Sequence, residues 1–229
     1  IPFITQLKKK IGFKLTIFVH DVFPENLVAT KILSSINPLY LLLLRIFNNS
    51  YHQTDQIIVC GRDMKLIFEK KLKKYKGVIK FIPNWADINL IYPIKQFKSI
   101  SYNDRLIFQY AGNIGRAQGI INLVDAIKKN NSSQFEFHFY GKGAYLNYIL
   151  KSDVENILYK GNFTRKESNK YLNFCDIAIV TLEKNMIGLG VPSKTYNILS
   201  AGKPILYIGN INSEIGLLIK ENNLGYIAE

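Results

Sequence analysis

Glycines and cations recur together at several places in this chain, in a spacing that suits a phosphorylated ligand. The first is Tyr110-Ala111-Gly112-Asn113-Ile114-Gly115-Arg116-Ala117-Gln118-Gly119, between the apolar run Arg105 to Tyr110 and an amphipathic stretch reaching Lys129. Glycines there let the backbone approach a ligand, and the free N–H groups and positive dipole end of a following helix favour phosphate. The same residues also suit a tight strand-to-helix turn, so this loop alone decides nothing. No Gly-Lys-Ser/Thr follows it, and its glycine spacing departs from the dinucleotide fingerprint. Tyr140-Gly141-Lys142-Gly143-Ala144 and Gly188-Leu189-Gly190-Val191-Pro192-Ser193-Lys194 repeat the theme, with Ser193 placed to cap a helix. His20-Asp21 is a titratable pair at the end of another apolar run, a position that also suits a cap of the next turn.

Such loops act together only if a scaffold brings them to one edge. Lys14 to His20, Gln56 to Cys60 and Val78 to Ile82 read as short, nearly continuous apolar strands of the kind buried in parallel sheets. Helices are expected at 24–34, with Pro24 tolerated in the first turn, at 38–48 and at 63–75. A second series follows, with strands at 105–110, 135–140, 157–159, 177–181 and 204–208. Helical segments lie between and after them, near 119–129, 144–151, 165–174, 193–201 and 213–222. Alternation of this kind predicts an α/β fold of doubly wound parallel sheets, which bind ligands beyond the carboxyl ends of their strands. Three glycine-bearing loops at that edge, each with a cation (Arg116, Lys142 and Lys194), suit an anion of diphosphate size. Residues 88–104 lack periodicity, so the expected division is 1–92, a linker at 93–104, and 105–229.

Composition narrows the class. The 229 residues are 48% hydrophobic, 21% charged and 13% aromatic, which excludes a disordered, collagen-like or coiled-coil chain. The net charge of +13 favours anionic partners. It is spread along the chain, +8 over the first 92 residues and +5 over the rest, and only five of the basic residues are Arg. Lysine lacks the bidentate fork of base reading, so no specific nucleic acid is expected and an anionic membrane surface is the better partner. The run Leu39 to Leu44 is far too short to cross a bilayer. The stretch Leu39 to Phe47 suits either a core helix or a membrane-facing patch; the core is expected, because a parallel sheet needs apolar helices on its faces. Cys60 and Cys175 stand far apart in apolar contexts and read as buried free thiols. The chain opens at Ile1, directly in a helix-like stretch, as a fragment would.

Seven motifs, in order, resemble those of family-four glycosyltransferases of the GT-B fold, and in particular bacterial surface-polysaccharide enzymes of the fucosamine-transferase type. They are His20-Asp21-Val22-Phe23-Pro24-Glu25, Val59-Cys60-Gly61-Arg62-Asp63-Met64, Ile82-Pro83-Asn84, the Gly112–Gly119 run, Phe139 to Gly143, Val191-Pro192-Ser193-Lys194-Thr195-Tyr196 and Ala201-Gly202-Lys203-Pro204. The resemblance implies two Rossmann-like domains, with residues 1–92 only the later part of an incomplete N-terminal acceptor domain and 105–229 the nucleotide-sugar donor domain. It further implies a retaining, metal-independent transfer of a hexosyl or N-acetylhexosaminyl group to a lipid-linked saccharide, in capsule or O-antigen synthesis at the cytoplasmic face of the membrane.

The nucleotide sugar is then a co-substrate, and neither a cofactor nor a metal ion is expected. Without a metal, the departing diphosphate must be stabilised by N–H groups, a helix dipole and Lys or Arg. The resemblance assigns donor binding to Gly112, Asn113, Gly115, Arg116, Gln118, Gly119, Gly141, Gly143, Pro192, Ser193, Lys194, Tyr196 and Asn197. It places His20 and Asp21 near the anomeric centre, where they orient the sugar or stabilise developing positive charge. This chain departs from the pattern at four positions. Asn113 and Gln118 replace an Arg and a Lys common in relatives, and Leu189 and Asn197 stand where relatives carry two Glu eight residues apart. A non-catalytic nucleotide-binding or scaffold module of the same fold is the alternative.

Overall fold

The computed structural model describes residues 1–95, 105–130 and 132–229. Residues 96–104, most of the expected linker, lie outside them. The chain forms two compact units, one of Ile1–Asn84 with Lys184–Val191 and Asn212–Glu214, the other of Trp85–Glu183, Pro192–Ile211 and Ile215–Glu229. Residues 85–92 therefore pack with the second unit, and two short later segments count with the first.

The first unit runs α1 (Pro2–Ile11), β1 (Thr16–Val19), α2 (Glu25–Ala29), α3 (Pro38–His52), β2 (Gln56–Val59), α4 (Arg62–Lys71) and β3 (Val78–Phe81). Its three strands are parallel in the order β1-β2-β3, with Val19 opposite Val59 and Val59 opposite Phe81. Ile57, Val59, Cys60, Met64 and Phe68 are fully shielded from solvent, so β2 and α4 form the core of this unit. Asn37 caps α3 by accepting the N–H of Leu39 at 2.9 Å, with Pro38 in the first turn. Two expectations are corrected. The helix read at 24–34 stops at Ala29, where the Thr30 hydroxyl folds back to the Asn26 carbonyl at 2.7 Å and Lys31 turns to φ 58°. The apolar stretch of α3 is not wholly core. Tyr40 is buried, but Leu39, Leu41, Leu42 and Ile46 are exposed, since one helix face is enough to cover the sheet.

The second unit contains β4 (Leu106–Ala111), α5 (Ile120–Lys129), β5 (Phe135–Tyr140), α6 (Leu146–Leu150), β6 (Ile157–Tyr159), α7 (Ser168–Asn173), β7 (Ile177–Thr181), α8 (Lys194–Ser200), β8 (Ile205–Ile208), α9 (Glu214–Asn222) and β9 (Gly225–Ala228). Its strands make one parallel six-stranded sheet in the order β6-β5-β4-β7-β8-β9. The expected helix at 165–174 is split into a 3-10 turn at Arg165–Glu167, held by a capping box between Thr164 and Glu167, and α7. On one face Tyr110, Phe139 and Ile179 pack with Ile120, Leu123, Val124 and Ile127 of α5. Side chains alternate along strands, so Gln109 lies on the other face, and the hydrogen-bonded Glu136–His138 pair (2.6 Å) is buried on the neighbouring strand.

Candidate functional site

In order along the sheet, the strands of the second unit number 3-2-1-4-5-6. The winding direction reverses between β4 and β7, and open parallel sheets bind ligands in the crevice beyond the carboxyl ends at such a point. The Gly112–Gly119 loop leaves β4 there. It is tied to the end of β7, since the Glu183 N–H donates to the Ala117 carbonyl at 2.9 Å and the Thr181 hydroxyl to the Gln118 carbonyl. It is tied as closely to the loop after β5. The Gly112 N–H donates to Tyr140 (3.0 Å), Ile114 N–H to Lys142 (2.8 Å) and Tyr145 N–H to Ile114 (3.0 Å).

That approach requires glycine. Gly141 and Gly143 have φ of 139° and 156°, and a Cβ on either would overlap the carbonyl of Gly112 or Ile114. The structure thus brings Gly112, Asn113, Gly115, Gln118, Gly119, Gly141 and Gly143 together in two interlocked loops. Asn113 and Gln118 close around Gly115, whose Cβ would meet the Asn113 Nδ2 at 2.8 Å and the Gln118 Oε1 at 2.9 Å. The Gln118 Oε1 is buried without a hydrogen-bond partner. Arg116 is exposed, and no ion pair engages it among the described residues.

Lys194, Tyr196 and Asn197 lie in the first turns of α8, and Pro192 and Ser193 lead into it. Ser193 precedes the helix in αR geometry and its side chain makes no cap bond, which corrects the expected N-cap. Lys194 is solvent-accessible, yet the protein around it desolvates its ammonium and lowers its pKa from the ordinary lysine value. No ion pair offsets that cost among the described residues, so an anion there gains a cation short of counter-charge. Ser193 and Asn197 also line a cavity of about 300 Å³ with Trp85, Asp87, Ile91 and Arg165. No residue of the Gly112–Gly119 loop lines that cavity.

In the first unit, His20 and Asp21 follow β1 and are both exposed. Asp21 bridges to Gly190, and the Val22 N–H donates to the Leu189 carbonyl at 2.7 Å. Surrounding protein raises the Asp21 carboxyl above its usual pKa, against the pull of His20. Behind them Asp63 was legible only as part of a motif. Its buried carboxylate accepts the N–H groups of Met64 (2.8 Å), Gly188 (3.1 Å) and Glu214 (3.2 Å), while Glu214 accepts from the Arg62 backbone and guanidinium. Burial raises the Asp63 pKa more than those three bonds lower it. Leu189, read as lying in a donor loop, is thus buried structure of the first unit. Nothing in the local sequence marks Glu214 or the role of Asp63, because Asp63 meets Gly188 and Glu214 from more than a hundred residues away.

No protein-family model matches the chain. It is 38% identical over 229 residues to the probable glycosyltransferase WbjE of Pseudomonas aeruginosa, covering 96% of this chain and 57% of that protein. It is 24% identical over 178 residues to the putative colanic acid biosynthesis glycosyl transferase WcaI of Escherichia coli, covering 73% and 44%. The chain thus spans about half the length of the curated relatives it matches. Among solved structures, sucrose-phosphate synthase of Thermosynechococcus elongatus superposes with a TM-score of 0.73 at 14% identity, over 97% of this chain and 56% of that one. Anabaena HepE in complex with UDP and glucose gives 0.68 at 15%, over 98% and 60%. The fold is that of the GT-B glycosyltransferases. In GT-B terms, the six-stranded sheet is one Rossmann-like unit with its switch point at Gly112, and the three parallel strands belong to another.

Proposed function

We propose that this chain is part of a glycosyltransferase that moves a sugar from a nucleotide-sugar donor to a lipid-linked saccharide in surface-polysaccharide synthesis, at the inner face of the membrane. The observation that carries the reading is the pair of interlocked glycine loops at the switch point of the second unit. They set the start of α5 and the exposed Arg116 at the carboxyl end of β4, where an anionic ligand of an open parallel sheet is held. Lys194 supplies a second cation, and Asn197 offers the nucleotide an amide in place of a carboxylate. The relatives WbjE and WcaI support the class by their names, and HepE by its bound UDP and glucose. The finer terms of the proposal are a hexosyl or N-acetylhexosaminyl group of fucosamine type, a capsule or O-antigen product, retention of configuration and no metal ion. The test is thermal stabilisation of the protein across a panel of nucleotide sugars. One or a few related donors should raise the melting temperature, and none doing so overturns the reading.

A second reading, a donor-binding scaffold without turnover, is favoured by Leu189. Where relatives of the resemblance carry an acid, this chain has a buried leucine whose carbonyl is engaged by Val22.

A further inference from the structure

Beyond the carboxyl end of β7 the second unit holds a carboxylate that its own structure does not use. Glu183 lies two residues past Thr181, and its backbone is fixed on both sides: the Leu182 N–H donates to the Ile208 carbonyl at 3.1 Å and the Glu183 N–H to the Ala117 carbonyl at 2.9 Å. The half-buried side chain runs beside Gly119, the residue that opens α5. A Cβ on Gly119 would meet the Glu183 Oε1 at 3.4 Å and its Cδ at 3.7 Å. Among the described residues no cation pairs with this carboxylate, no hydrogen bond reaches it, and it does not cap α5. The Gln118 Oε1 of the same loop is buried and likewise lacks a donor, a costly state that a donor from a ligand would relieve. Two acceptors without donors thus lie at one loop of the switch point.

The charge of Glu183 selects what can lie against it. A carboxylate accepts hydrogen bonds and donates none. A phosphate set next to Gly119 would face a like charge, which disfavours both anions. The cation of this loop is the exposed Arg116, three residues earlier. The phosphates of a nucleotide sugar therefore belong on its side, and the groups beside Gly119 must be hydrogen-bond donors. Vicinal hydroxyls of a sugar ring meet that need, because the two carboxylate oxygens can accept from both; an acid in dinucleotide-binding sheets holds ribose in a similar way. The dipole of α5 favours the same carboxylate without any ligand. The two roles differ in one respect: only the first makes affinity depend on the ligand's hydroxyls.

We propose that Glu183 binds the donor, accepting hydrogen bonds from a vicinal hydroxyl pair of the nucleotide sugar while the diphosphate is held on the Arg116 side of the loop. The inference rests on the donor-binding reading of this crevice, and the experiment separates the two. Calorimetry measures binding of UDP, GDP and ADP, of their 2′-deoxy counterparts, and of UDP-glucose, UDP-N-acetylglucosamine, GDP-mannose and dTDP-glucose to the parent and to Glu183→Gln, which keeps the side chain's size. With the ligand that the parent binds most tightly, Glu183→Gln should weaken binding about ten-fold or more, as loss of a hydrogen bond to a charged group does. Glu183→Asp keeps the charge beside α5 but draws the oxygens back; it should weaken the same ligands, and it serves if Glu183→Gln does not fold. Loss seen with a nucleoside diphosphate and absent with its 2′-deoxy counterpart identifies the ribose, and loss confined to nucleotide sugars identifies the transferred sugar. Unchanged or tighter binding overturns the proposal and leaves the donor site in place. So does equal loss with and without the 2′-hydroxyl, or a loss that appears only with magnesium, which would make Glu183 a metal ligand. No binding of any of these compounds by the parent overturns the donor reading and this inference with it.

Discussion

A side chain on Gly141 would overlap the carbonyl oxygen of Gly112, so the loops after β4 and β5 touch through bare backbone. Gly141→Ala must either displace that contact or adopt a φ near 139° that L-residues rarely hold. A cost of about 1–3 kcal/mol is expected, read as a lower denaturation midpoint. Nucleotide affinity should fall with it, since the same shift opens the loop that holds Gly112 and Gly115.

Most of this architecture was legible because its strands are continuous apolar runs. Phe135–Tyr140, Ile157–Tyr159 and Ile177–Thr181 form where expected. The final strand, Gly225–Ala228, was not read, because four residues after a polar turn carry too little periodicity to be told from a loop. At the site, the glycine loops were visible as glycines, but their interlocking was not, since Gly112 and Gly141 meet across two strands. The loop Gly188–Lys194 reads locally as one donor loop, and long-range bonds, from Gly188 to Asp63 and from Val22 to Leu189, accompany the placing of its Gly188–Val191 part with the first unit.

Asp63 is the clearest such case, and its titration gives a pH test. Burial raises its folded-state pKa above the unfolded value. The folded protein therefore holds the proton more tightly. This contribution to stability is complete below the unfolded pKa and is lost as pH rises through the folded one. Stability measured by urea denaturation from acid toward neutral pH should fall more steeply in the parent than in Asp63→Asn. Equal slopes would show that Asp63 titrates normally. Asp63→Ala strands three N–H groups and should cost about 1–3 kcal/mol or more at neutral pH.

Arg116→Ala and Lys194→Ala should each weaken nucleotide-sugar binding by about 1.5–3 kcal/mol, the range for a hydrogen bond to a charged group. Calorimetry on each variant checks this. Unchanged affinity in both removes the diphosphate from this crevice.

His20→Ala and Asp21→Asn act at the carboxyl end of β1. If they stabilise charge that develops only in the transition state, kcat should fall on the order of ten-fold or more while donor affinity holds. Loss of affinity with unchanged kcat would assign them to binding alone.

Turnover by the full-length protein tests the central claim most directly. With the nucleotide sugar that stabilises it and a lipid extract from its own cells, the protein should release nucleoside diphosphate and place the sugar on a lipid-extractable saccharide, and Arg116→Ala should suppress both. Tight binding of the nucleotide sugar with neither transfer nor hydrolysis across a broad acceptor panel would contradict the account and leave a donor-binding scaffold in its place.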